Sequence, residues 1–250
     1  MSVIVITGGS RGIGASAALQ IASRGTGVIL TYNSHPQEAE AIVSKIKAAG
    51  GKAVALALNV SNVASFAGFA SDVAAALETH WNSDRIHGLV NNAGFGNFAA
   101  IEALTEAEFD GLLNVHLKGP FFLTQALLPL IADGGQIINM TSATTRVATP
   151  GAAPYAAFKG GLEVLTRYMA KEFGPRNIRA NSISPGAIRT DMTNGAFDQS
   201  PEFVELLSSQ TALGRIGEPD DVGRVIASLL SDDNGWINAQ NIEVGGGYII

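Results

Sequence analysis

Seven short runs of apolar, largely β-branched residues recur along the chain: SVIVIT, GVILTY, KAVALAL, IHGLVN, GQIINMT, NIRANSIS and QNIEV. Segments of helical length separate the first six. In HPQEAEAIVSKIKAAG, for example, Glu38, Ala41, Ile42, Lys45, Ile46 and Ala49 form polar and apolar stripes. Such strand-helix alternation predicts an α/β fold, a doubly wound, seven-stranded parallel sheet covered by helices on both faces. No internal repeat, low-complexity tract or linker divides it, so residues 1–250 read as a single domain. Residues 187–217 break the alternation with a polar loop and a short helix, the length and composition of a functional lid.

Charge and composition narrow the partners. A net charge of −6 gives no electrostatic case for nucleic acid or an anionic membrane. Although 46% of residues are apolar, no apolar run approaches the length that spans a bilayer. The start, MSVIVITGG, passes into glycines with no basic segment before it, unlike a signal peptide. With no cysteine, disulfides and thiolate metal ligation are excluded. His35, His80, His87 and His116 are scattered without ligand spacing, so no metal is expected. The expectation is a soluble, cytoplasmic protein.

Thr7-Gly8-Gly9-Ser10-Arg11-Gly12-Ile13-Gly14 follows the first strand and opens a helix near Gly12. Glycines there permit a tight turn and let a pyrophosphate approach the amides of a helix N-terminus, whose dipole favours negative charge. The spacing differs from G-x-G-x-x-G in having three residues between Gly8 and Gly12. Further along, Tyr155 and Lys159 in YAAFK stand four apart, on one face of a helix.

TGGSRGIG resembles the T-G-x-x-x-G-x-G fingerprint of the short-chain dehydrogenase/reductase superfamily. Asn91-Asn92-Ala93-Gly94, Asn114, Ser142, Tyr155, Lys159 and Pro185-Gly186 follow in that superfamily's order across nearly the whole chain. The resemblance implies a Rossmann fold and makes Tyr155 the acid in carbonyl reduction and the base in alcohol oxidation. It also makes Lys159 a ligand of the nicotinamide ribose, Ser142 a donor to the substrate oxygen, and Asn114 the support of a proton-relaying water. Tyrosine is a weak acid, with a reference pKa of about 10. An ammonium near 4 Å would contribute on the order of 4 kcal/mol at an effective dielectric of 20, about three pKa units toward neutrality.

The cofactor implied is NADP(H) in preference to NAD(H). NAD-preferring relatives tend to carry an acid at the end of the second strand, where this chain has Tyr32-Asn33-Ser34. Arg11 lies where NADP-dependent members often place a base for the 2′-phosphate. Gly8, Ser10, Gly12, Ile13 and Gly14 are expected along the phosphates, and Asn91, Ala93, Gly94, Pro185, Gly186 and Ile188 against the cofactor. Thr190 is expected on the carboxamide. Asn59-Val60 replaces the usual Asp-Val, leaving an uncharged oxygen for the adenine amine.

Candidate substrate-pocket residues are Phe95, Ala143, Thr144, Ala187, Met192, Phe197, Phe203 and Leu206, mostly apolar and suited to a neutral carbonyl compound. A closer resemblance is to 3-oxoacyl carrier-protein reductases, whose acidic partner requires basic docking residues. Here Arg176 is retained but Asp133 occupies a second such position, which ranks that activity below a general ketone or secondary-alcohol reaction. A non-catalytic NADP-sensing regulator is the alternative of another class, though such a protein would be expected to lose the catalytic side chains. A glycine-loop methyltransferase makes no use of the Tyr-Lys pair. The family resemblance also implies a homotetramer, built through the helices carrying Asn114 and Tyr155 and through the C-terminal strand, with the apolar tail VGGGYII suited to a subunit contact.

Overall fold

Each predicted apolar run forms a strand in the computed structural model, which describes residues 1–250, the Asn194 side chain apart. The strands are β1 (Val3–Ile6), β2 (Gly27–Tyr32), β3 (Ala53–Ala57), β4 (Ile86–Asn91), β5 (Ile131–Met140), β6 (Arg179–Pro185) and β7 (Asn241–Val244). They pair in the order β3-β2-β1-β4-β5-β6-β7, parallel throughout. Side-chain alternation along β1 explains why both faces must be covered. Ile4 and Ile6 enter one apolar core, Val3 and Val5 the other.

Helices α1 (Gly12–Ala22), α2 (Pro36–Ala48) and α9 (Pro219–Leu229) cover the first face through Ala17, Ile21, Ile42, Ile46, Val222 and Ile226. On the second face lie α3 (Phe66–Trp81), α5 (Gly119–Leu127) and α6 (Ala153–Phe173), contributing Phe69, Val73, Leu77, Leu123, Leu127 and Met169. Thr105 and Glu108 form a reciprocal capping box that starts α4 (Glu106–Leu113).

Two local departures from the sequence expectation have identifiable causes. β5 begins at Ile131 rather than near Gly135, because Gly134 at φ +78° allows a bulge beside the shift in register between Ile86 and Gly88. Residues 187–217 hold two helices rather than one, α7 (Asp191–Gln199) and α8 (Pro201–Ser209). Ser200 separates them, accepting from the Phe203 N–H at 3.3 Å while Pro201 starts α8. Phe197, Leu207 and Ile216 give this excursion a small core of its own.

Candidate active site

In the strand order, β1 has β2 on one side and β4 on the other, so their following loops diverge and leave a crevice at the strand C-termini. A cleft of about 700 Å³ lies there. The glycine loop forms one wall. Gly8 (φ +64°) and Gly12 (φ +55°) adopt left-handed backbone, and a Cβ on Gly14 would stand 2.2 Å from the Gly8 carbonyl oxygen. No side chain caps the first turn of α1. Its amides, set beside the glycine turn, suit a pyrophosphate. The loop is held by Asn92, whose Nδ2 donates to the carbonyls of Thr7 (2.9 Å) and Gly8 (3.1 Å), while Thr7 Oγ1 accepts from the Asn92 and Ala93 amides.

All the cofactor residues named from sequence border this cleft except Asn91. Asn91 is buried below it, its Nδ2 donating to Thr124 Oγ1 (3.1 Å) and Asn139 Oδ1 (2.8 Å). It braces β4 against its neighbours, and the adjacent Asn92 faces the glycine loop instead. Asn59 also departs from expectation. Its Oδ1 already accepts from the Ser61 N–H (3.0 Å) and hydroxyl (2.8 Å), a local turn that uses both lone pairs intended for an adenine amine.

Tyr32, Asn33, Ser34 and Arg11 all border the cleft. The bordering carboxylate is Asp191, from the lid rather than from β2, at 3.4 Å from Arg11 Nε. Both side chains are about half exposed, so the pair is weak and the guanidinium remains open to a stronger anion. Thr190 closes over the loop, since a Cβ on Gly12 would lie 3.6 Å from its methyl group.

Ser142, Tyr155 and Lys159 border the same cleft. Ser142 Oγ accepts from the Thr144 amide (3.2 Å) and hydroxyl (3.0 Å), which leaves its own proton to donate elsewhere. Lys159 is buried and donates to the Met140 carbonyl at 2.6 Å. Its Nζ lies 5.6 Å from the centre of the Tyr155 ring. Burial drives the two groups in opposite directions. Tyr155 is raised to about 12, partly offset by a hydrogen bond with Ser142, and Lys159 is lowered to about 7. The expected fall of Tyr155 toward neutrality is therefore not met by the chain alone, because desolvation outweighs the Ser142 hydrogen bond and Lys159 loses its own proton before the phenol titrates.

Residues 8–249 match a family model described as enoyl-(acyl carrier protein) reductase, adh_short_C2. The chain belongs to the short-chain dehydrogenase/reductase family. An uncharacterized oxidoreductase of Methylorubrum extorquens is 40% identical over 98% of this chain and 96% of its own length. The 3-oxoacyl-[acyl-carrier-protein] reductase FabG of Staphylococcus aureus is 36% identical over 97% and 96%. The crystal structure of the angucycline C-6 ketoreductase LanV with bound NADP superposes with a TM-score of 0.93, at 32% identity, over 99% of this chain and 95% of that one.

Within this short-chain dehydrogenase/reductase, the turn between α4 and α5 carries a cleft-lining residue that the sequence reading passed over. Asn114–Lys118 form a π-turn between α4 and α5, in which the Gly119 amide bonds the Asn114 carbonyl. Asn114 does not border the cleft, whereas His116, two residues on, does. The wall facing the substrate is also smaller than expected. Phe95, Ala187 and Met192 border the cleft, but Phe197 is buried in the lid core beneath Phe203, and Leu206 is half exposed away from it. Ala143 and Thr144 form the turn that orients Ser142. Phe98 was missed: its ring tilts toward Tyr155 at 6.4 Å, and a Cβ on Gly96 would meet both it and Met192.

Proposed function

We propose that this oxidoreductase interconverts a ketone or other small-molecule carbonyl and a secondary alcohol, using NADP(H) in preference to NAD(H). One observation carries the reading: Tyr155, Ser142 and Lys159 border the same cleft as the glycine loop. Bound NADPH supplies the hydride. In reduction the Tyr155 hydroxyl passes its proton to the carbonyl oxygen as general acid, and in oxidation the phenolate takes it back. Ser142, already receiving two hydrogen bonds, directs its own proton to the same oxygen and stabilises the charge developing there. Lys159 lies behind the phenol, where its protonated form favours phenolate.

The cofactor preference rests on Arg11 and on the absence of a carboxylate from the end of β2, and the LanV structure with bound NADP is in keeping with it. Gly8, Gly12, Gly14 and the first turn of α1 would hold the phosphates, Arg11, Asn33 and Ser34 the 2′-phosphate, and Thr190 the carboxamide.

A 3-oxoacyl carrier-protein substrate is the second reading, favoured by the similarity to FabG. Against it, Arg176 is committed within the chain. Its Nε donates to Asp133 at 2.8 Å and its Nη1 to the Leu128 carbonyl at 3.0 Å. The net charge of −6 also opposes an acidic partner.

We further infer one catalytic domain spanning residues 1–250 and a cytoplasmic homotetramer. Phe121, Val164 and Tyr168 expose apolar surface on α5 and α6, and Ile250 does so at the tail. No described helix is long and apolar enough to cross a membrane. NADPH deuterated at its transferable position tests the reaction directly. Deuterium recovered on the carbinol carbon of the product is expected, whereas NADPH binding without transfer to any carbonyl compound would favour a sensor.

A further inference from the structure

Three buried side-chain polar atoms lack a partner among the described residues: Trp81 Nε1, Ser184 Oγ and His116 Nδ1. Of the three residues, only His116 borders the cleft. Its ring is 1% exposed and stands edge-on to Tyr155, with centroids 4.9 Å apart at 78°. His116 Nε2 is 2.8 Å from the Phe95 carbonyl, which can only accept. The proton of a neutral ring must then sit on Nε2, and Nδ1 is a bare acceptor. Burial, with the nearby Lys159 charge, pushes the ring down to about 3, so it stays neutral at ordinary pH.

Pro120, four residues after His116, has no N–H to continue the α pattern of bonds at this point in the helix. The π-turn brings the residue here because Gly119 packs so closely that a Cβ on it would lie 2.4 Å from the Val60 carbonyl oxygen. A bare acceptor buried beside an ammonium costs free energy until a donor reaches it.

We propose that His116 is a positioning residue whose Nδ1 accepts a hydrogen bond from a water shared with Lys159, so that its side chain helps to hold the proton path to Tyr155. This rests on the carbonyl-reductase reading above. In reduction one proton leaves the Tyr155 hydroxyl for the carbonyl oxygen, and one must return from solvent to the phenolate. The path runs past Lys159, only 4% exposed, and the shared water, which passes a proton inward and takes one up from solvent. The net change is phenolate plus one solvent proton to phenol. His116 orients that water and keeps its own charge state throughout.

Two measurements test the assignment. In full-length protein with 15N-labelled histidine, His116 is expected as the neutral Nε2–H tautomer, with Nδ1 in the hydrogen-bond-accepting range and no protonation down to about pH 5, well below the usual histidine midpoint. This readout stands whether or not a substrate has been found. In steady-state reduction, His116→Leu lowers kcat by about tenfold or more, raises the solvent isotope effect on kcat and leaves NADPH affinity unchanged. His116→Asn, whose amide can donate to Phe95 and accept from water, recovers most of the loss. An Nδ1–H tautomer, a ring that protonates near its ordinary midpoint, or an unchanged kcat and isotope effect in His116→Leu overturns the proposal. A parent enzyme that transfers no hydride to any carbonyl overturns the functional reading instead.

Discussion

Lys159 Nζ lies 5.6 Å from the centre of the Tyr155 ring and is bonded at 2.6 Å to the Met140 carbonyl on β5. The lysine is thereby fixed to the sheet rather than to its partner one helical turn away. Its charge is held in a desolvated place, and the cost of that desolvation has a measurable pH dependence.

In the folded, cofactor-free chain Lys159 is lowered from its ordinary 10.5 to about 7. Between those limits the unfolded chain keeps a proton that the folded chain has released, so this residue's contribution to stability rises with pH across the window. Lys159→Met removes the contribution. The stability of the parent relative to this variant should increase between about pH 7 and about pH 9, with a slope of at most ~1.4 kcal/mol per pH unit. Urea unfolding of both proteins checks it, and a flat or falling difference contradicts the burial argument.

Among the described residues Arg11 is paired with the half-exposed Asp191 at 3.4 Å. Replacing it by alanine should weaken NADPH binding by about tenfold, the value of one charge-assisted hydrogen bond, and change NADH binding little. Asp191→Asn should tighten NADPH modestly by freeing the guanidinium. Titration calorimetry with both nucleotides separates these effects, and equal losses for the two would remove Arg11 from the 2′-phosphate.

Gly14 is required by space. A Cβ there would stand 2.2 Å from the Gly8 carbonyl oxygen and 2.5 Å from Asn92 Nδ2, so Gly14→Ala should cost roughly 1–3 kcal/mol and weaken nucleotide binding. Gly68, in α3 with nothing within 4 Å of its virtual Cβ, is the control. Gly68→Ala should raise stability by about 0.5–1 kcal/mol through helix propensity. Thermal melts of the two variants should move in opposite directions.

The strands and the glycine loop were legible because their signals are local: continuous β-branched runs, and glycines where a turn needs them. The two lid helices had a local signal too, Ser200-Pro201, a cap followed by proline at the first helical position. Asn91 and Asn92 are neighbours that β pleating sends to different surroundings, and their order in the motif does not say which faces the loop. The π-turn at Asn114–Lys118 depends on the packing of Gly119 against Val60, a contact between distant segments. His116 borders the cleft beside that contact, and spacing alone does not reveal it. Phe197 was unreadable for a similar reason, since an apolar residue in a lid serves the lid core or the substrate with the same side chain.

The Arg176–Asp133 pair makes a prediction about partners. With the guanidinium engaged by Asp133 and by the Leu128 carbonyl, a 3-oxoacyl group on its carrier protein should be turned over no better than the same acyl group on a short thiol. Equal kcat/KM for the two is expected. A strong preference for the protein-bound form would place the carrier-protein reaction first.

The most direct test of the account is the initial rate of NADPH oxidation across aliphatic, aromatic and keto-ester carbonyls, for the parent and for Tyr155→Phe. The account predicts turnover of at least one ketone by the parent and a loss of about a hundredfold or more in kcat in the variant, with NADPH affinity retained. Tyr155→Phe turning over as fast as the parent would contradict it.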